Sequence, residues 1–229
     1  MLKQFLIAAI ALIATVAHAL PIAFTSSSFD TTALALAQNV SDFDTDSTPT
    51  SPLPLLSTAT VVGTSDFATA AALGTNGLLT SLAEADSVVG LTNAVGQSHF
   101  LGSFLGNGLL TLHLGFDSFN SIIGGGSGSG SLFVLLTSRV GATTTTLIND
   151  VFTVGGPINL QFVLPAGGVT ALDLTLVSEA SSLSAGQSAQ NFSQLTFSGD
   201  IPLPSTWLLL AVALAAMMFV RAKSSRQQG

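Results

Sequence analysis

The chain has 229 residues, no Cys, 12 acidic and five basic residues. Four of the bases (Lys3, Arg221, Lys223 and Arg226) lie in the terminal segments, so residues 20–206 hold Arg139 alone and a net charge of 1 − 12 = −11 with His neutral. A body this acidic excludes nucleic-acid binding through phosphates, which requires Lys and Arg, and the lack of Cys excludes disulfides and thiol chemistry.

The first element is "MLKQFLIAAIALIATVAHALP". Lys3 is a basic start, Phe5 to Val16 is an apolar run, and Ala17-His18-Ala19 has the small-x-small pattern that signal peptidase reads. These features predict a secretory signal helix over residues 1–19, cleaved after Ala19, so that the mature chain begins at Leu20 outside the cytoplasm.

Residues 20–87 are rich in Ser, Thr, Ala and Pro and read as an N-terminal part of the mature protein. "DFDTDS" carries Asp42, Asp44 and Asp46 at the alternate spacing that opens a Ca²⁺ loop. The sixth and twelfth positions are Ser47 and Leu53, where such a loop needs Gly and Glu, and Pro49 and Pro52 interrupt it. These residues form a weak Ca²⁺ candidate, and a solvated acidic loop is the plainer reading. "STPTSPLPLL" (47–56) reads as an extended linker. A short helix is predicted near Asp66 to Leu73, then a turn at Asn76-Gly77.

From residue 88 the pattern alternates with period two, which predicts strands. Leu110, Leu112, Leu114 and Phe116 share one face, as do Ile148, Phe152 and Val154; Ile158, Leu160, Phe162 and Leu164; and Leu172, Leu174 and Leu176. "SLFVLLTSRV" (131–140) is apolar on both faces, as in a central strand, and "NFSQLTFSGD" (191–200) closes the domain. Turn signals fall at 106–108, 155–157 and 165–168. The expected fold is mostly β: an antiparallel, jelly-roll-like sandwich of six or seven strands over 88–200, with the signal helix before it and a transmembrane helix after it.

Candidate chemistry is sparse. "IIGGGSGSGS" (122–131) lacks the Lys of a phosphate loop and reads as a flexible hairpin loop. His99 and His113 are the only histidines after signal cleavage, and neither has metal-ligand spacing. No Gly-x-Ser-x-Gly elbow supports a hydrolase. Glu84, with Asp86 nearby, and Glu179 are the only glutamates, and Tyr is absent, which argues against a glycosidase or an aromatic-lined sugar site. The expectation is a non-catalytic protein without a cofactor.

The last element is "IPLPSTWLLLAVALAAMMFVRAKSSR" (201–226). Trp207 to Val220 is uncharged; as a helix its 14 residues span about 21 Å, short of a bilayer core of about 30 Å. Trp207 suits one interface, while Arg221 and Lys223 suit the cytoplasmic side. The tripartite pattern of Pro202-Leu203-Pro204, an apolar segment and a basic tail resembles the PEP-CTERM sorting signal, with Ser205, Thr206, Trp207 and Arg221 at matching positions. It departs from the commonest form at Leu203, where Glu is usual. The resemblance covers about 25 residues and implies a diderm bacterium. It further implies an inner-membrane intermediate, transient engagement by exosortase, and delivery to the cell surface or extracellular matrix, often alongside exopolysaccharide in a biofilm. The expected role is structural or adhesive. The alternatives are a module that binds extracellular polysaccharide and a single-pass, membrane-anchored periplasmic protein.

Overall fold

The structure, a computed structural model, describes residues 20–38, 40–48, 55–62, 66–75 and 77–201. Their regular structure is entirely strand: β1 Leu20–Pro21, β2 Phe24–Ala37, β3 Val40–Thr48, β4 Leu55–Val62, β5 Phe67–Thr75, β6 Leu78–Ser87, β7 Thr92–Leu105, β8 Gly108–Ile123, β9 Ser127–Val140, β10 Thr143–Phe152, β11 Gly156–Leu164, β12 Val169–Ser182 and β13 Gln187–Ile201. The first sheet runs β11-β8-β13-β6-β5-β4, with β1 added on β13; the second runs β10-β9-β12-β7-β2-β3. Every pairing is antiparallel. The protein is therefore mostly β, with two facing antiparallel sheets. The expected helices at 1–19 and 207–220 lie outside the described residues.

From β6 onward the pairing is nested. β6 pairs with β13, β7 with β12, β8 with β11 and β9 with β10. β2 and β3 then extend the second sheet beyond β7, while β5 and β4 extend the first beyond β6. The expected boundary at residue 87 is thus not a boundary in the fold: strands from 20–87 complete both sheets. They escaped the periodicity search because their inward positions are largely Ala, Ser and Thr, which carry little hydropathy contrast.

The core explains that composition. At one end Phe100, Phe104, Phe116, Leu112, Leu132 and Leu174 are among the large side chains packed between the sheets, and Phe24 meets Phe100 and Phe104 edge-on. At the other end the filling is almost all alanine, including Ala33, Ala35, Ala70, Ala83 and Ala94. The sheets are close there: a Cβ on Gly96 would lie 2.5 Å from the Leu82 carbonyl oxygen and 2.6 Å from that of Ala71. Hydroxyls stitch the zone between. Thr31 Oγ1 and Ser57 Oγ are 2.7 Å apart, Ser81 Oγ and Ser178 Oγ also 2.7 Å, and each pair spans the two sheets. Such buried hydroxyls are tolerable because each finds a partner.

This narrow core also corrects the helix expected near Asp66 to Leu73. The segment is strand β5, with Ala68, Ala70 and Ala72 buried and the residues between them facing outward. Alanine favours helix in isolation, but here tertiary contact selects the residue small enough for the gap. The turn after it holds, with Gly77 at φ 79° between β5 and β6. The Gly-rich stretch is a loop only at Gly124–Gly126; Gly128 and Gly130 lie within β9. Gly130 sits against Ser118 and Ser193, so glycine there serves close packing. Of the expected linker 47–56, residues 49–54 lie outside the described residues while the rest belongs to β3 and β4, and Val154 follows β10 as an exposed residue instead of joining the Ile148–Phe152 face. A bulge between Thr146 and Ile148 shifts the register of β10.

Candidate functional site

Strand alternation places Asp30 of β2, His99 of β7 and Asp173 of β12 on the outer face of the second sheet. Register then sets Asp30 directly opposite His99, while Asp173, opposite Leu101, is the diagonal neighbour of His99. His99 Nδ1 lies 3.1 Å from Asp30 Oδ2, and its Nε2 lies 2.9 Å from Asp173 Oδ1. A neutral imidazole can donate only one hydrogen bond, whereas imidazolium donates two. The bond to Asp173 raises the His99 pKa above its ordinary value; burial opposes this, and Asp30 adds to the rise. When protonated, the ring donates to both carboxylates and ties three strands together.

The clamp limits the chemistry available to His99. Both ring nitrogens are committed to carboxylates, so neither offers a lone pair to a metal or a substrate proton. The two carboxylates also lie on opposite sides of the ring instead of converging. Among the described residues, no group of three or more His, Asp or Glu is arranged to hold a metal ion.

Beside the clamp, a shallow groove of about 530 Å³ runs over β7, β12, β9 and β10, lined by Gln97, Phe133, Asn149, Asp173, Thr175 and Glu179 among others. A smaller hollow of about 200 Å³ shares Glu179 with it and adds Asn93, Ser127, Ser129 and Ser181. The strip exposes carboxylates, amides, hydroxyls and one 45% exposed aromatic ring, Phe133.

The other sequence candidates lie apart. His113 is on the outer face of the first sheet, its Nδ1 2.6 Å from Asn159 Oδ1 and its Nε2 3.8 Å from Asp200. Glu84 faces outward on β6 and Glu179 outward on β12, so the two glutamates occupy opposite outer faces of the sandwich. Asp173 and Glu179 share a face but stand six residues apart on β12, about 20 Å, well beyond the separation at which two carboxylates flank one sugar bond.

Asp42, Asp44 and Asp46 correct the loop expected for them: they lie in edge strand β3. The Thr60 N–H donates to Asp42 Oδ2 at 2.9 Å and the Thr58 N–H to Asp44 Oδ2 at 3.0 Å. Two of the three carboxylates therefore satisfy backbone donors on β4, the edge of the facing sheet, and join the two edges on that side. Ala17, Ala19, Pro202, Leu203, Pro204, Ser205, Thr206, Trp207 and Arg221 lie outside the described residues.

The clamp is the cluster that the sequence did not reveal. Its signal was partial: Asp30, His99 and Asp173 each interrupt the polar side of an alternating strand, but only the register brings them together. Compared with known proteins, the chain matches no family model, and no curated protein is significantly similar to it.

Proposed function

We propose that this is an exported, non-catalytic protein of a diderm bacterium, sorted by exosortase through its PEP-CTERM-like tail to the cell surface or extracellular matrix, where it serves a structural or adhesive role. One observation carries the reading: the residues next to the two expected processing points are paired with each other. Leu20 and Ile201 are partners in the β1–β13 ladder, so the two expected points fall at the same end of the sandwich. Removing residues 1–19 and cutting near Pro204 would leave intact every strand among the described residues. The nested pairing from β6 to β13 supports a jelly-roll-like class. The scattered carboxylates and the committed nitrogens of His99 support a non-catalytic role.

The test is the intact mass of the protein recovered separately from surface, medium and inner membrane of the native host. Loss of residues 1–19 and a break near Pro204 is expected. A chain ending at Gly229 and found only with inner membrane would refute sorting and favour the single-pass periplasmic reading.

The groove beside Phe133 favours a second reading, a module for extracellular polysaccharide. Affinity electrophoresis through host exopolysaccharide should retard the domain, and Phe133→Ala should abolish the retardation. Equal mobility of both proteins at all polysaccharide concentrations would sink this reading.

A further inference from the structure

The two ends of the described chain leave the sandwich side by side. Ile201 pairs with Leu20 and Asp200 with Pro21, beyond the point where the β6–β13 ladder stops at Leu78 and Thr196. The turns β7–β8, β9–β10 and β11–β12 reach the same end, since Asp200 pairs with Thr111, Leu164 with Gly108, and Val169 with both Leu105 and Arg139.

This end is apolar and exposed. Leu105 (63% exposed) pairs across the ladder with Val169 (45%), and Leu109 (42%) with Val163 (74%). Its charge is also unlike the rest of the domain. Arg139, the single base between residues 20 and 206, is here, whereas of the 12 acidic residues only Asp200 lies in these rows. Asp42, Asp44, Asp66, Glu84, Asp86 and Glu179 all fall in the far half, toward the alanine end.

We propose that, while the tail is still attached, this end of the sandwich docks on the outer surface of the lipid bilayer, with Leu105, Leu109, Val163 and Val169 in the headgroup region. The proposal rests on the reading of residues 207–220 as a membrane segment. Five residues, 202–206, separate Ile201 from Trp207, and fully extended they reach at most about 18 Å. The end that carries the tail is therefore held at the interface; the opposite turns also expose aliphatic side chains, among them Val88, Val89 and Leu183, but only the tail-bearing end joins such side chains to a base. Any other orientation would bring the acidic body toward anionic headgroups, which repel it.

The chain has no Cys, so single thiols report position cleanly. Full-length chain, reconstituted in phosphatidylethanolamine–phosphatidylglycerol vesicles, would carry a fluorescent label through Val163→Cys, Leu105→Cys or, in the opposite turn, Ala185→Cys. β12 holds 14 residues, so the Ala185 site would stand about 45 Å from the docked end. Doxyl lipids should quench the labels at 163 and 105 several-fold more than the label at 185. Leu109→Ser with Val169→Ser should reduce that quenching while leaving thermal unfolding unchanged, because both side chains are exposed. Equal, weak quenching at all three sites in chain that resists carbonate extraction would overturn docking and leave the membrane anchor standing. Chain released by carbonate would overturn both. Shielding at 163 that tracks protein density instead of lipid would also overturn docking, by identifying a second copy as the occupant.

Discussion

Gly96→Ala tests the closeness of the sheets directly. The added methyl would lie 2.5 Å from the Leu82 carbonyl oxygen, 2.6 Å from that of Ala71 and 3.2 Å from the Leu82 nitrogen. Ordinary contact begins near 3.4 Å, so β7 and β6 must separate locally by 3.4 − 2.5 = 0.9 Å. The obstructing atoms belong to backbone in two paired strands, and no rotamer change relieves them. A gap of this size forfeits a quarter to a half of each dispersion contact it opens, and overpacking of this kind costs about 1–3 kcal/mol. Gly102→Ala is the control. Its methyl would meet the rings of Phe24, which is partly buried, and Phe100, which is fully buried, so side chains and not backbone must give way. Urea unfolding of residues 20–201 should show a loss of about 1–3 kcal/mol for Gly96→Ala and a smaller loss for Gly102→Ala. A Gly96→Ala midpoint within error of wild type, or costs in the reverse order, would refute the narrow-core account.

Four further outcomes are expected. The His99 pKa, followed by imidazole NMR, should lie above 6.5 and fall more with Asp173→Asn than with Asp30→Asn, since the Asp173 bond is the larger cause. Because the folded pKa is the raised one, the clamp's stabilisation is full below the unfolded value and fades as pH rises through the folded value; a His99→Gln variant with the same pH dependence of stability between 6 and 9 would contradict this. Asp66 is 1% exposed at the start of β5 and accepts the Val88 and Val89 N–H bonds, both at 2.8 Å. Burial alone would raise its pKa, but those bonds, with Gln38 and Gly90, outweigh it and lower the value. Its contribution is therefore present above pH of about 4 and is lost as acid reaches the lower folded pKa; Asp66→Asn should flatten that limb of the acid-unfolding curve, and an unchanged curve would be contrary evidence. Leu174→Ala, at a fully buried site in the wide end, should cost about 2–5 kcal/mol by urea unfolding, and a cost under about 1 kcal/mol would mean the core there collapses freely. Millimolar Ca²⁺ should leave the thermal midpoint unmoved, because Asp42 and Asp44 already satisfy β4 donors; a rise of several degrees would reopen the cation reading.

Sequence alone determined the strand character of residues 110–176. Leu110, Leu112 and Leu114 alternate with Thr111 and His113, and apolar alternation with period two has few solutions other than a sheet with one buried face. It also located the turn at Gly77, because positive φ there needs glycine. It did not determine the fate of residues 66–87. An alanine-rich run is compatible with helix or strand, and only the 2.5 Å approach beside Gly96 shows why alanine stands there. Nor did it join Asp30, His99 and Asp173, which are 69 and 74 residues apart in pairs. Alternation tells each side chain which face it occupies. Which residue stands beside it on the neighbouring strand depends on register and strand order, and those follow from how the whole sandwich closes around a core that is wide at one end and narrow at the other.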